Sequence, residues 1–346
     1  MFIVCSVLPT RAVHPGRQIS AAMTSLLTPS FDAADVPRAI AQQRSRADRI
    51  FRGISFSAAA VSLLIIGSTA VFLTLGARDA FGTSGVKAFF TDSVWNSSLG
   101  TFGVFGVLVG TLLIAVVGLM VAVPLGLGLA LFINEYAPMR IRRPLTGAVD
   151  LLAAMPSLVF GMWGFFVFQR YVVGVAQFFA DHLSAIPIFR VFDGEQLTRS
   201  GFIAGIVVGF MILPIVTSVA RDVMAQAPRE QCEGALALGG TRWGMIRSVI
   251  FPFARSGIVG AALLGFGRAL GETIAITIIV SLSYQPNYRI LTEGSGSIAQ
   301  LIATRFPEAQ GLEHSGLVAA GLVLFIVTLI VNLIARRIVS KSRSAH

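Results

Sequence analysis

The chain has 346 residues, 55% of them hydrophobic and 13% charged, against roughly a quarter charged in an ordinary soluble domain. Water is therefore excluded as the solvent for most of it. The formal charge of +10 is spread around apolar runs and not gathered into one basic domain, which argues against a nucleic-acid partner.

Only two lysines occur, Lys87 and Lys341, preceded by Val86 and Ser340. No Gly-Lys-Ser/Thr phosphate loop exists, so any ATP that drives this protein is bound by another chain. The two cysteines, Cys5 and Cys232, and the four histidines, His14, His182, His314 and His346, share no metal-ligand spacing, and neither a metal nor a cofactor is expected.

In chain order, residues 1–50 are polar and Arg-rich with no periodic apolar face and read as a flexible cytoplasmic tail. Residues 51–340 read as one membrane domain. A hydrocarbon core about 30 Å thick needs about 20 apolar residues per helix, and six charge-poor runs meet that length: 54–75, 103–133, 151–168, 201–220, 257–282 and 316–335. The second run is too long to cross upright and must tilt or bend at Pro124, whose ring removes a backbone donor.

Cytoplasmic segments retain Lys and Arg. With the N-terminus inside, the cytoplasmic segments hold 19 of them and the opposite side 7, with Arg268 within a span, so both termini are expected in the cytoplasm. The two long external loops, 171–200 and 283–315, are expected to be functional or partly helical, with Phe189, Phe192 and residues 298–306 as interfacial helices. Such helices would either cover the bundle or form a docking surface.

The cytoplasmic connection 221–255 has too many helix formers for a tether. Pro228 suits a helix start, Glu230 and Glu233 favour its positive end, and Gly239-Gly240 stops it before Thr241, with Pro252 opening the next helix. Gly234, Ala235 and Ala237 give that short helix a small-residue face that another protein can approach closely. Glu233-Gly234-Ala235, Gly239 and Val249-Ile250-Phe251-Pro252 resemble the coupling motif of ABC importer permeases, which reads Glu-Ala-Ala, a later glycine and a distal Ile-x-Leu-Pro. Gly234, Val249 and Phe251 depart mildly from it, while Glu233, Ala235, Gly239 and Pro252 match at the family spacing.

The fifth run carries Arg268 and Glu272. An arginine at a helix centre costs about 2.5–3.5 kcal/mol on insertion scales and demands a partner or an aqueous cavity. Positions four apart share a helix face, so a self-neutralising ion pair and an anion-handling pair both fit the spacing. In the second case the guanidinium fork would meet an oxyanion, Glu272 would be displaced or protonated, and Thr273 would add a hydroxyl.

Arg268-Ala269-Leu270-Gly271-Glu272-Thr273 looks like the signature of phosphate ABC-transporter permeases. Glu135-Tyr136-Ala137-Pro138, Met155-Pro156-Ser157, Gly161-Met162-Trp163-Gly164 and Ile212-Leu213-Pro214 are similar to that family as well. The resemblance covers residues 49–337 and is closer to the PstC type than to its PstA partner.

The resemblance implies an all-α membrane protein with six transmembrane helices and the type I ABC importer permease fold, located in the bacterial cytoplasmic membrane. It further implies a PstA-type second permease, a dimer of cytoplasmic ATP-binding subunits, an extracytoplasmic phosphate-binding protein, and inorganic phosphate as the substrate moved by alternating access. A permease for molybdate or sulfate is the alternative within the class. From other classes stand a sensor of phosphate and a membrane enzyme acting on lipid phosphates. The enzyme lacks a catalyst, since no His, Cys or carboxylate pair accompanies Arg268 within a span.

Overall fold

The computed structural model describes residues 46–192 and 194–343. The expected tail, apart from residues 46–50, lies outside the described residues, as do Cys5, His14 and His346.

The chain divides into two compact units at Val61–Ser62. The described part of the first, residues 46–61, is helical and exposed throughout, with Phe51 and Phe56 among its side chains. It opens helix α1, Arg46–Gly76, which therefore starts inside the expected tail. An apolar helix exposed in this way is stable only against lipid or another apolar chain.

The second unit continues through α2 (Arg78–Ser84), α3 (Val86–Thr91) and a two-residue hairpin of β1 (Trp95–Asn96) and β2 (Thr101–Phe102), antiparallel with Trp95 opposite Phe102. This hairpin is the only sheet among the described residues. Then come α4 (Phe105–Leu131) and α5 (Met139–Ala154), followed by α6 (Ser157–Trp163) and α7 (Gln169–His182), joined through a widened π turn at Gly164–Phe168. Next are α8 (Gly201–Met224), α9 (Arg229–Ala237), α10 (Arg242–Met245) and α11 (Phe251–Leu270). The chain closes with α12 (Ile274–Ile279), α13 (Ile298–Arg305) and α14 (Gly311–Arg343).

Six helical stretches among the described residues are long and apolar enough to cross a membrane: 46–76, 105–136, 157–182, 201–224, 242–270 and 311–334. Each expected run lies on one of them, with shifted ends. The second stretch extends through α4 and a π turn at Phe132–Tyr136, passing Pro124 inside continuous helix. Its 32 residues measure about 48 Å at 1.5 Å per residue.

The third stretch begins at Ser157 and not near residue 151, because Met155 precedes Pro156. The proline ring pushes Met155 out of the helical region, to φ −66° and ψ 135°. Residues 139–154 form the separate helix α5, which carries Arg140, Arg142 and Arg143 in its first turns. The stretch also runs further than expected, so the first of the two long loops shrinks to residues 183–200.

Helix α8 is the centre of the bundle, and two-thirds of its apolar window is buried. It starts at Ser200, whose hydroxyl accepts a hydrogen bond from the N–H of Ile203. Against α4 it packs through glycines. A Cβ on Gly209 would lie 2.9 Å from the carbonyl oxygen of Gly118, and one on Gly205 would lie 2.6 Å from a methyl of Val117. Small residues here let two backbones touch, the usual route to helix association in lipid, where hydrophobic driving force is absent.

A second apolar cluster joins α2, α3, β2, the start of α4, α13 and α14 around Phe89, Phe102, Leu301 and Leu317. The stretch 298–306, expected to be helical, forms α13 over Ile298–Arg305, with Ile298 to Leu301 buried and residues 303–306 exposed. It is held by a reciprocal cap: Ser297 Oγ accepts from Gln300 N at 3.0 Å, and Gln300 Oε1 accepts from Ser297 N at 3.3 Å. Phe189 ends a short 3₁₀ turn, whereas Phe192 lies in irregular chain under the guanidinium of Arg289.

Candidate functional site

The fifth stretch departs most from expectation, and the departure falls on the site. A single helix was expected through 257–282. The helix starts far earlier, at Arg242, passes a π turn at Ile246–Ile250, and stops at Leu270. Pro252 stands in the first turn of α11, as expected, but that helix continues the path from Arg242 without a break. The proline lacks an N–H for the turn before it, and the widened turn stands immediately ahead of it.

The stop at Leu270 has a local cause. Gly271 sits at φ −91° and ψ 0°, and its N–H reaches back only to the carbonyl of Arg268, a tightened last turn. Glu272 then turns inward and is 7% exposed. Its Oε1 accepts the N–H of Ala275 at 3.2 Å, satisfying a free donor at the start of α12. The Glu272 carboxylate thus starts a new helix, and the ion pair with Arg268 allowed by the four-residue spacing is not formed. Thr273 donates its hydroxyl to the carbonyl of Gly271 at 3.1 Å, and its own carbonyl accepts from Thr277 Oγ1 at 2.8 Å.

Arg268 lies on the other side of the break. It is exposed and makes no hydrogen bond or ion pair with any described residue. It lines an open groove of about 480 Å³ with Ile215, Leu263, Leu264, Gly267 and Asn332. The three expected pathway residues therefore do not converge within this chain: Arg268 faces a groove, Glu272 is buried as a cap, and Thr273 is half-buried between them. What the arrangement supplies is one unneutralised guanidinium beside a helix break, in a largely apolar stretch.

The residues expected to form the coupling loop fall on α9, its exit and the first turn of α11. Pro228 stands just before Arg229, and Gly239, at φ +84°, ends the helix in the left-handed conformation that glycine adopts without strain. The N–H of Gly240 returns to the carbonyl of Ala235 at 3.2 Å, and Thr241 caps α10 by accepting from Gly244 N at 3.1 Å. Glu233 and Gly234 are exposed, Ala235 is half-buried, and a Cβ on Gly234 would meet open space. Leu238, 91% exposed, stands at the tip.

The chain matches the family described as binding-protein-dependent transport system inner membrane component over residues 122–344. It is 36% identical over 316 residues to the phosphate transport system permease protein PstC of Xylella fastidiosa (strain 9a5c), covering 91% of this chain and 96% of that protein. It is 38% identical over 300 residues to PstC 2 of Mycobacterium tuberculosis (strain H37Rv), covering 85% and 92%. The chain belongs to the PstC permease family. Among solved structures it resembles a bacterial alginate ABC transporter in complex with an alginate pentasaccharide-bound periplasmic protein, with TM-score 0.57, 18% identity, and 85% and 96% of the two chains covered. A second structure, of a bacterial ABC transporter involved in alginate import, gives TM-score 0.53 at 18% identity over 85% and 99%. At that identity the likeness speaks for the fold, the type I ABC importer permease fold.

Within this PstC-family permease, several structural contacts had no signal in the sequence. Arg242 Nη1 donates to the carbonyl of Glu135 at 3.3 Å, and Asn134 Nδ2 donates to the carbonyl of Arg221 at 2.8 Å, tying the coupling segment and α8 to the end of α4. Between the two long loops, Arg289 Nη1 pairs with Glu195 at 2.6 Å and the guanidinium lies 4.8 Å from the centre of the Phe192 ring. These are long-range contacts between residues of ordinary type, visible only after folding. Leu238 and Trp243 are exposed, and two large apolar side chains next to the expected coupling motif are a readable docking signal.

Proposed function

We propose that this chain is the transmembrane subunit of an ATP-driven importer of inorganic phosphate. Its partners are a PstA-type second permease, two copies of a cytoplasmic ATP-binding subunit, and an extracytoplasmic phosphate-binding protein. Both of its termini lie in the cytoplasm, and the protein is multi-pass in the bacterial cytoplasmic membrane.

The observation that carries this reading is the broken fifth span with an unpaired Arg268 beside it. Irregular backbone and an uncompensated charge are tolerated at membrane depth only where they line a cavity or meet another protein. Discontinuous helices build midplane substrate sites in other transporters. A guanidinium there suits a tetrahedral oxyanion, which accepts its parallel N–H groups.

The same span supplies the drive. From Arg242 to Leu270 the chain is continuously helical, so a push delivered to α9 and Thr241 travels along one rod to Arg268. ATP-driven closure of the ATP-binding subunits would grip α9 through Glu233, Gly234 and Ala235, with Leu238 and Trp243 as apolar anchors. The rod would then switch the side to which the Arg268 region opens.

Deleting the gene should abolish high-affinity uptake of radiolabelled phosphate while sulfate and molybdate uptake stay at wild-type rates. Loss of sulfate or molybdate uptake with phosphate uptake intact would reassign the substrate.

The coupling role makes a separate prediction. Gly239→Val places a β-branched residue at φ +84°, where left-handed backbone costs an ordinary residue about 1–2 kcal/mol. The end of α9 should unwind, and recovery of the ATP-binding subunit with the affinity-purified permease should fall about tenfold. Gly174→Ala, on α7 away from α9 and facing open space, should leave recovery unchanged. Equal recovery with Gly239→Val would remove α9 as the coupling element.

A further inference from the structure

Beside α9 lies a polar cavity of about 270 Å³ that the transport reading does not use. Its walls come from the π turn that ends α4 (Asn134, Glu135), from α5 (Arg142), from the last turn of α8 (Met224) and from α9 (Arg229, Cys232). Two of these residues, Arg142 and Arg229, carry positive charge and form no ion pair with a described residue, beside the single carboxylate of Glu135. Arg142 donates one Nη2 hydrogen bond to the carbonyl of Asn134 and keeps its Nε buried without a partner. Arg229 forms no ion pair with any described residue, and the Glu135 carboxylate pairs with neither arginine.

Behind Asn134, Arg221 binds Asp222 through Nε and Nη2 but leaves Nη1 buried and unpartnered. The buried unpartnered side-chain atom among the residues that line this cavity is thus a guanidinium N–H donor, Arg142 Nε, and what satisfies a donor is an acceptor. Burial, and then the nearby Glu135 and Glu233 carboxylates, push the Cys232 thiol up, so the sulfur adds no negative charge that would oppose an anion.

The geometry points to an oxyanion site between Arg142 and Arg229 that takes a tetrahedral phosphate group, either free inorganic phosphate or the headgroup of an anionic lipid. Arginine forks bind such groups because two parallel N–H bonds match two of their oxygens. A guanidinium of Arg142 that turns into the cavity exchanges a stranded N–H for a charge-assisted bond. An anion held by both residues ties α9 to α5 and braces the coupling helix against the bundle. Given the coupling role proposed for α9, occupancy slows ATP-driven uptake as phosphate accumulates on that side.

The test is calorimetric titration of inorganic phosphate into the purified transporter complex, without its binding protein, together with mass analysis of the phospholipid that co-purifies. Wild type should bind phosphate, Arg142→Gln and Arg229→Gln should each bind at least tenfold more weakly, and Arg142→Lys should fall between. Each titration is repeated on an Arg268→Gln background, where Arg142→Gln and Arg229→Gln should lose the same binding. An anionic lipid retained by wild type and lost from Arg142→Gln would support the site with a headgroup as its occupant. Equal phosphate binding by wild type, Arg142→Gln and Arg229→Gln, or neither phosphate nor lipid on wild type, would overturn the site. Transport itself is judged separately by uptake in Arg268 variants, so failure here leaves that reading intact.

Discussion

Arg268→Gln is expected to abolish phosphate uptake by a transporter that still assembles. A charge-assisted hydrogen bond is worth about 1.5–3 kcal/mol, and about 1.4 kcal/mol is a factor of ten, so initial uptake should fall tenfold or more. Arg268→Lys keeps the charge and loses the fork, and should retain an intermediate rate. The neighbouring carboxylate behaves differently, because its role in the fold is that of a cap. Glu272→Gln preserves an oxygen that can accept the Ala275 N–H and should lower uptake mildly, whereas Glu272→Ala removes the cap of α12 at a cost of about 1 kcal/mol. The measurement is the initial rate of radiolabelled phosphate entry, normalised to permease level in the membrane. Wild-type rates for both Arg268 variants would make the residue a structural charge.

A large loss of stability is expected at Gly110. This glycine of α4 lies directly against the backbone of Gly296, so an added Cβ would fall on the Gly296 carbonyl oxygen. That segment has no room to retreat. Ile298 N donates to Thr111 Oγ1 at 2.9 Å, Ser297 and Gln300 form their reciprocal cap, and Gln300 Nε2 holds the carbonyl of Val280 at 2.9 Å. Gly110→Val should therefore cost at least the upper end of the about 1–3 kcal/mol typical of overpacking. In detergent, little monodisperse permease should be recovered. Gly128→Ala, on the same helix but facing open space, should match wild type in yield and thermal midpoint. Normal yield of Gly110→Val would mean that 283–297 does not pack on α4 as described.

The six spans were legible because lipid imposes a crude and strong rule, a long apolar run with few charges, and each run falls on a helix that can cross a membrane. The stop at Gly239 was legible for the same kind of reason, since one glycine pair supplies the only cheap left-handed turn in that segment. Hydropathy says nothing of helix continuity, and that is where the reading of 257–282 failed. The break after Leu270 is set by a glycine that weakens the helix and a glutamate whose carboxylate competes for a backbone N–H, a local choice with no effect on mean hydropathy. The signal was present as Gly271 followed by Glu272 and Thr273, a helix stop followed by polar residues able to start a new one. The i to i+4 spacing brings Arg268 and Glu272 onto one face only in a continuous helix. The third span shifted for an equally local reason, the proline at position 156. The contacts of Arg142, Arg242 and Arg289 had no sequence signature, because each joins segments far apart in the chain.

The central claim, that the break beside Arg268 lines the path of phosphate, is tested most directly by thiol protection at Thr273. In a chain with Cys5 and Cys232 replaced by serine, Thr273→Cys in the assembled, transport-competent complex is treated with a small water-soluble thiol reagent in the presence or absence of phosphate. The account predicts labelling that phosphate suppresses and sulfate does not. A thiol that never labels, or one that labels at the same rate with and without phosphate while uptake remains intact, would contradict it.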